Sequence, residues 1–66
     1  MTVLVNGETR DIARGYTIIN IIEELSKQKN GIAIAVNGKV IPFSNWQNYL
    51  LSDHDSVLII EATQGG

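Results

Sequence analysis

The stretch TIINIIEELSKQKNG, Thr17 to Gly31, decides the fold. Four isoleucines within residues 18–22 suggest a strand, because β-branched side chains are stiff at χ1 and suit a pleated surface. The periodicity is helical instead. Ile18, Ile21, Ile22 and Leu25 recur at i, i+3, i+4 and i+7, while Asn20, Glu23, Glu24, Lys27 and Gln28 fall on the opposite side. Thr17 is placed to accept a first-turn N–H as N-cap, EELSKQK is built of helix formers, and Asn30-Gly31 reads as a C-cap. We therefore expect one amphipathic helix from residue 18 to the Asn30-Gly31 stop.

Strand patterns lie on both sides. TVLVN at 2–6 runs into Asn6-Gly7, and IAIAV at 32–36 runs into Asn37-Gly38. Asn-Gly between apolar runs is the strongest short-range hairpin signal, since both positions of a type I′ turn need φ > 0. ETRDIA with Ile12 as its anchor is the return strand of the first hairpin, and Val40-Ile41 that of the second, stopped by Pro42. SNWQNYLL at 44–51 predicts a turn or a single helical turn, with Trp46, Tyr49 and Leu50 closing one end of the core. SDHDS at 52–56 reads as a polar turn and VLIIEA at 57–62 as the last strand. Hairpin, helix, hairpin, turn and strand make an α+β fold, a mixed sheet of five (or four) strands with one helix on a single face. With the first and last strands central and parallel, this is the β-grasp: one domain over 1–62 and a flexible tail over 63–66.

At 66 residues, folding buries only about 60% of the chain's surface, which leaves no room for a deep catalytic pocket. There is no cysteine and one histidine, so neither a disulfide nor a metal framework is on offer. Five dispersed basic residues and a net charge of −2 disfavour nucleic acid as a partner. No apolar run reaches the ~20 residues of a membrane span, and MTVLVNGE lacks a signal-peptide layout, so a cytoplasmic, monomeric protein is expected.

The segment after the last strand is Thr63-Gln64-Gly65-Gly66. Glycines lack Cβ and reach any backbone angle, so this segment can thread a channel too narrow for side chains. Strand alternation sends Val3, Val5, Val57 and Ile59 toward the helix and leaves Leu4, Ala33, Ala35, Leu58, Ile60 and Ala62 on the helix-free face. A contiguous apolar patch of that kind usually marks an interaction site, or else a face covered by a second copy. Asp53-His54-Asp55 can be drawn as a metal site, but adjacent turn residues diverge, and a solvated acidic turn is the better reading. Glu23-Glu24 reads as helix solvent face rather than an acid–base pair. No glycine-rich loop opens a helix after a strand, so the chain carries no nucleotide-binding motif.

Asn6-Gly7, YTIINIIEEL at 16–25, AVNGKVIP at 35–42, Trp46, the acidic turn before VLII and Gly65-Gly66 together resemble the ubiquitin-like sulfur carrier proteins of thiamin thiazole biosynthesis, over essentially the whole chain. One departure is His54, where that family often has glycine. The resemblance implies that an adenylating enzyme of the ubiquitin-activating type uses ATP to activate the Gly66 carboxylate. It further implies that a persulfide donor converts Gly66 to a thiocarboxylate, and that thiazole synthase receives the sulfur. On that reading Gly65, Gln64 and Thr63 thread the partner's channel, and the chain is a co-substrate, not an enzyme, that binds no cofactor itself. Two destinations for such a tail stay open beside it, the small subunit of molybdopterin synthase and a ubiquitin-like modifier. A plain β-grasp interaction module with an inert tail stays open as well.

Overall fold

The computed structural model describes residues 1–25 and 30–61. Its elements are β1 (Thr2–Val5), β2 (Glu8–Asp11), α1 (Ile18–Glu24), β3 (Ile32–Val36), β4 (Lys39–Ile41), a 3₁₀ turn (Phe43–Asn45) and β5 (Ser56–Glu61). The five strands form one mixed sheet in the order β2-β1-β5-β3-β4. β1 and β5 are parallel, and every other pairing is antiparallel. This is the ubiquitin-like β-grasp with all five strands.

Both Asn-Gly pairs form the tight turns that their sequence demands. Val5 pairs with Glu8 and Val36 with Lys39, which leaves two-residue loops. Asn6 and Gly7 have φ of 50° and 84°, Asn37 and Gly38 of 52° and 84°, the left-handed values of a type I′ turn. The asparagines also reach beyond their own hairpins. Asn6 Oδ1 accepts the Ile59 N–H at 2.8 Å and Asn37 Oδ1 accepts the Ser56 N–H at 2.9 Å, so each turn holds the backbone of β5.

α1 starts as its sequence directs. Thr17 is extended (φ −103°, ψ 174°) and forms a capping box with Asn20, the asparagine side chain accepting the Thr17 N–H at 2.8 Å. Ile18, Ile21 and Ile22 are buried. Each such side chain contributes about 1.5–3 kcal/mol on burial, against a helix-propensity penalty well under about 1 kcal/mol, and so the isoleucine-rich segment is helical. Among the described residues the helix runs to Glu24, with Leu25 as C-cap. The expected continuation over 26–29 lies outside the described residues. Glu24 fixes that end, accepting from Tyr16 O–H at 2.7 Å and from Arg10 Nη2 at 3.2 Å. These bonds hold the Glu24 carboxyl below its ordinary pKa, the tyrosine bond being the larger cause, and the same bond pushes the Tyr16 phenol up.

The core lies between α1 and one face of the sheet. Val3, Val5, Ile34, Val36, Val57 and Ile59 supply the sheet side, closed below by Ile41, Trp46 and Leu51. Trp46 is 2% exposed and its indole N–H donates to the Ile41 carbonyl at 2.8 Å. The expected third plug is displaced by one residue. Leu50 is 63% exposed, pairing through its backbone with Thr17, and Leu51 is the buried one. The segment 44–51 is not a regular helical turn, so alternation along it could not be read from the sequence.

His54, at φ 70°, occupies the left-handed region, which explains why a glycine suits this turn. Replacing it with glycine relieves that strain, and His54→Gly should raise stability by up to about 1 kcal/mol in urea unfolding. Asn6→Gly keeps the turn but strips a part-buried N–H of its acceptor, at a cost of about 1–2 kcal/mol. Asn37→Gly, whose bonds are solvent-exposed, should cost less in the same measurement.

Candidate functional site

The site has two parts, the sheet face that α1 leaves uncovered and the segment that follows β5. Register sets the face. Leu4 lies beside Ser56, Leu58 beside Ala35, Ile60 beside Ala33, and Ala35 beside Val40. Leu4 is 38% exposed, Leu58 48% and Ile60 49%, far above the core residues that alternate with them. Ala33 is also exposed. Ala35 is a correction, because at 8% exposure it is buried. It shares the face, but its short side chain sits in register between the larger Leu58 and Val40. It supplies a floor rather than a contact.

The sequence reading missed Val40, the most exposed large apolar residue of the face at 66%. The signal was present. A two-residue Asn37-Gly38 turn pairs Val36 with Lys39 and hence Ala35 with Val40, so the alternation of β3 carries across the hairpin. By the same registers the helix-free side of the strands shows Thr2, Thr9 and Ser56 around the apolar centre, with Asp11 as its one charged residue. A partner seated here desolvates almost no charge, as suits the core of an interface.

β5 directs the second part. It lies between β1 and β3, and its last residue, Glu61, pairs with Ile32 at the start of β3. The chain therefore leaves from the middle of the sheet, at the end carrying the Asn6-Gly7 turn. Ala62, Thr63, Gln64, Gly65 and Gly66 lie outside the described residues.

The acidic turn is built for structure. Asp53 Oδ1 accepts the Thr2 N–H at 2.8 Å, and Asp55 accepts from Ser52 N–H at 2.8 Å and Asn37 Nδ2 at 3.0 Å. Those bonds turn the two carboxylates toward the backbone, away from a shared metal position. Among the described residues no three His, Cys, Asp or Glu side chains come together as metal ligands. The Thr2 N–H, ahead of the nearby His54, α-amino group and Arg14, holds the Asp53 carboxyl below its ordinary pKa. A shallow depression of about 320 Å³ adjoins this turn, lined by Met1, Arg14, Gly15, Leu50, Leu51, Ser52 and Asp53. Its one lining carboxylate is the Asp53 group that already holds Thr2. No helix among the described residues is long and apolar enough to cross a membrane.

Comparison with known proteins agrees with this geometry. The sequence model of the ThiS family matches residues 3–66. The sulfur carrier protein ThiS of Escherichia coli (strain K12) is 29% identical over 66 residues, with both chains covered completely. The crystal structure of a thiamine biosynthesis protein (ThiS) from Geobacter metallireducens superposes with a TM-score of 0.85 at 22% identity, covering both chains completely. Its solution structure gives 0.80 at 23% identity, covering all of this chain and 88% of the other. At these identities the two solved structures establish the shared fold.

Because the folded-state pKa of Asp53 is depressed, its contribution is present above the unfolded value and is lost as pH falls through the folded one. Glu24 acts in the same direction. Thermal melts from about pH 6 to about pH 2 should show the midpoint falling below about pH 4, with a shallower fall in Asp53→Asn.

Proposed function

The chain belongs to the ThiS family, and from that premise we propose that it is a sulfur carrier of thiamin biosynthesis, a co-substrate of partner enzymes in the cytoplasm rather than a catalyst. The observation that carries the reading is the end-to-end alignment with a sulfur carrier of the same length, on a fold that delivers β5 from the middle of its sheet into Thr63-Gln64-Gly65-Gly66.

The chemistry follows from the tail. A C-terminal carboxylate has a pKa near ~3.5, so at neutral pH it is an anion and a poor electrophile. Its oxygen attacks the α-phosphorus of ATP on an adenylating enzyme of the ubiquitin-activating type, and pyrophosphate leaves. The terminal sulfur of a persulfide then attacks the carbonyl carbon of Gly66 as AMP departs. A thiol cleaves the remaining S–S bond, forming a disulfide with the donor sulfur and leaving a thiocarboxylate. That thiocarboxylate donates its sulfur to thiazole synthase. Gly65 and Gly66 keep side chains clear of the attacked carbonyl, and Thr63 and Gln64 extend its reach. Having no cysteine, the chain offers no internal thiol to intercept the activated carbonyl. ATP is bound by the partner, in keeping with a sequence without a phosphate-binding loop.

The helix-free face supplies recognition that two glycines cannot. Leu4, Val40, Leu58 and Ile60 seat the folded domain on the activating enzyme while the tail enters its channel, with Ala33 and Ala35 as the flat floor.

Intact-mass measurement of the chain coexpressed with its adenylating enzyme should show one oxygen replaced by one sulfur, located at Gly66 by fragmentation. An unchanged mass, together with thiamin synthesis that survives Gly66→Asp, would falsify the reading. Leu58→Lys should raise KM for adenylation about tenfold, a loss of about 1.4 kcal/mol, with kcat little changed, since the residue touches the partner and not the reacting carbonyl.

A further inference from the structure

We propose that Asn6 is a positioning residue for the tail, its carboxamide anchoring the end of β5 from which the chain runs on to Gly66. The inference rests on the sulfur-carrier reading, and its test separates the two.

β5 is held unequally along its length. Its pairing with β3 continues to the last residue, Glu61, beside Ile32. Its pairing with β1 stops at Val5 and Val57, because the chain turns away at Asn6 and Gly7. Asn6 reaches back across that gap. Its backbone N–H donates to the Val57 carbonyl at 2.9 Å, and its Oδ1 accepts the Ile59 N–H at 2.8 Å. In a parallel ladder one residue donates its N–H to the neighbouring strand and accepts, through its own carbonyl, the N–H two residues farther on. At φ 50° the main chain of Asn6 has entered the hairpin, and the carboxamide oxygen accepts in place of that carbonyl. The side chain thus lengthens the β1 side of the ladder by one bond, toward the tail.

The turn alone does not need this group. Glycine supplies the same left-handed φ without a side chain, so the hairpin accounts for the backbone of Asn6 and not for its carboxamide. Asn37 makes the corresponding bond to the Ser56 N–H, but at the start of β5. The Asn6 bond is the one of the two at the end leading to Thr63-Gln64-Gly65-Gly66. Ile59 precedes Gly66 by seven residues, an extended reach on the order of 25 Å. Each residue of β5 that frays lengthens the free arm, and ordering a longer arm in a partner's channel costs more conformational entropy. That cost falls equally on the bound and the reacting carrier, so it enters KM and leaves kcat alone.

Asn6→Gly keeps the turn and removes the acceptor, whereas Asn6→Asp keeps an acceptor oxygen on a residue that tolerates positive φ. In the free chain, hydrogen exchange of the Ile59 amide relative to that of Ile34 should quicken about tenfold in Asn6→Gly and stay near native in Asn6→Asp. With the adenylating enzyme and ATP, Asn6→Gly should raise KM for the chain about fivefold at unchanged kcat, and Asn6→Asp should restore it. Asn37→Gly, which loses the matching bond at the far end of β5, should keep the native KM; a merely structural role would make the two glycine variants behave alike. Unchanged Ile59 exchange or a native KM in Asn6→Gly, or an equal rise of KM in Asn37→Gly, overturns the positioning role while adenylation of the native chain upholds the sulfur-carrier reading. A native chain that is never adenylated overturns both.

Discussion

The parallel pairing of β1 with β5 is the constraint on which the rest of the structure depends. Parallel neighbours cannot be joined by a tight turn and need a long crossover. Here the crossover contains everything between the two strands, including β2, α1 and the β3–β4 hairpin. Only with that whole segment in place does β5 close the sheet, and it does so in the middle, paired to β1 on one side and β3 on the other. The side chains of Asn6 and Asn37 reinforce the closure from the two hairpin turns, one toward each end of β5. Each asparagine thus serves twice, adopting the positive φ of its own turn and accepting an N–H from the central strand.

That closure determines what is exposed. One seven-residue helix can cover only one face of a five-stranded sheet. In so small a chain the area left over is large relative to the core, and the sequence fills it with apolar residues in place of the polar ones that ordinarily face water on an antiparallel sheet. Leu4, Val40, Leu58 and Ile60 add nothing to the core that α1 covers. Their retention on a solvated face is intelligible as provision for contact with another surface.

Local chemistry was legible in the sequence, and tertiary consequence was less so. Asn6-Gly7, Asn37-Gly38 and Thr17 could be read because a type I′ turn and an N-cap are decided within four residues, and the structure has all three. The parallel β1–β5 pair followed from element order and from the apolar content of the two strands. Three features were not decided by local pattern. Ala35 is buried between strands that include Leu58, which lies far along the chain. Leu51 replaces Leu50 in the core because the irregular turn after Trp46 has no period to extrapolate. His54 adopts a left-handed conformation because its own N–H donates to the Thr2 carbonyl and the flanking Asp53 to the Thr2 N–H is an acceptor, two contacts that exist only once β1 is laid beside the turn. The apolar face was largely foreseen from alternation, and Val40 was missed only because the alternation of β3 was not carried through its hairpin.

A carrier handed between enzymes cannot hold either one for long. A small, nearly uncharged face suits that requirement, because small interfaces release quickly. On the sulfur-carrier reading proposed above, an activating enzyme and a sulfur acceptor both need the segment that follows β5, whose last residue, Glu61, pairs with Ile32 of β3. Any partner that draws the tail into a channel from this end stands beside the apolar face. On that reading successive partners compete for one surface. Weak binding at that face is in this view a condition of turnover: a larger or more charged face would hold one partner at the expense of the next.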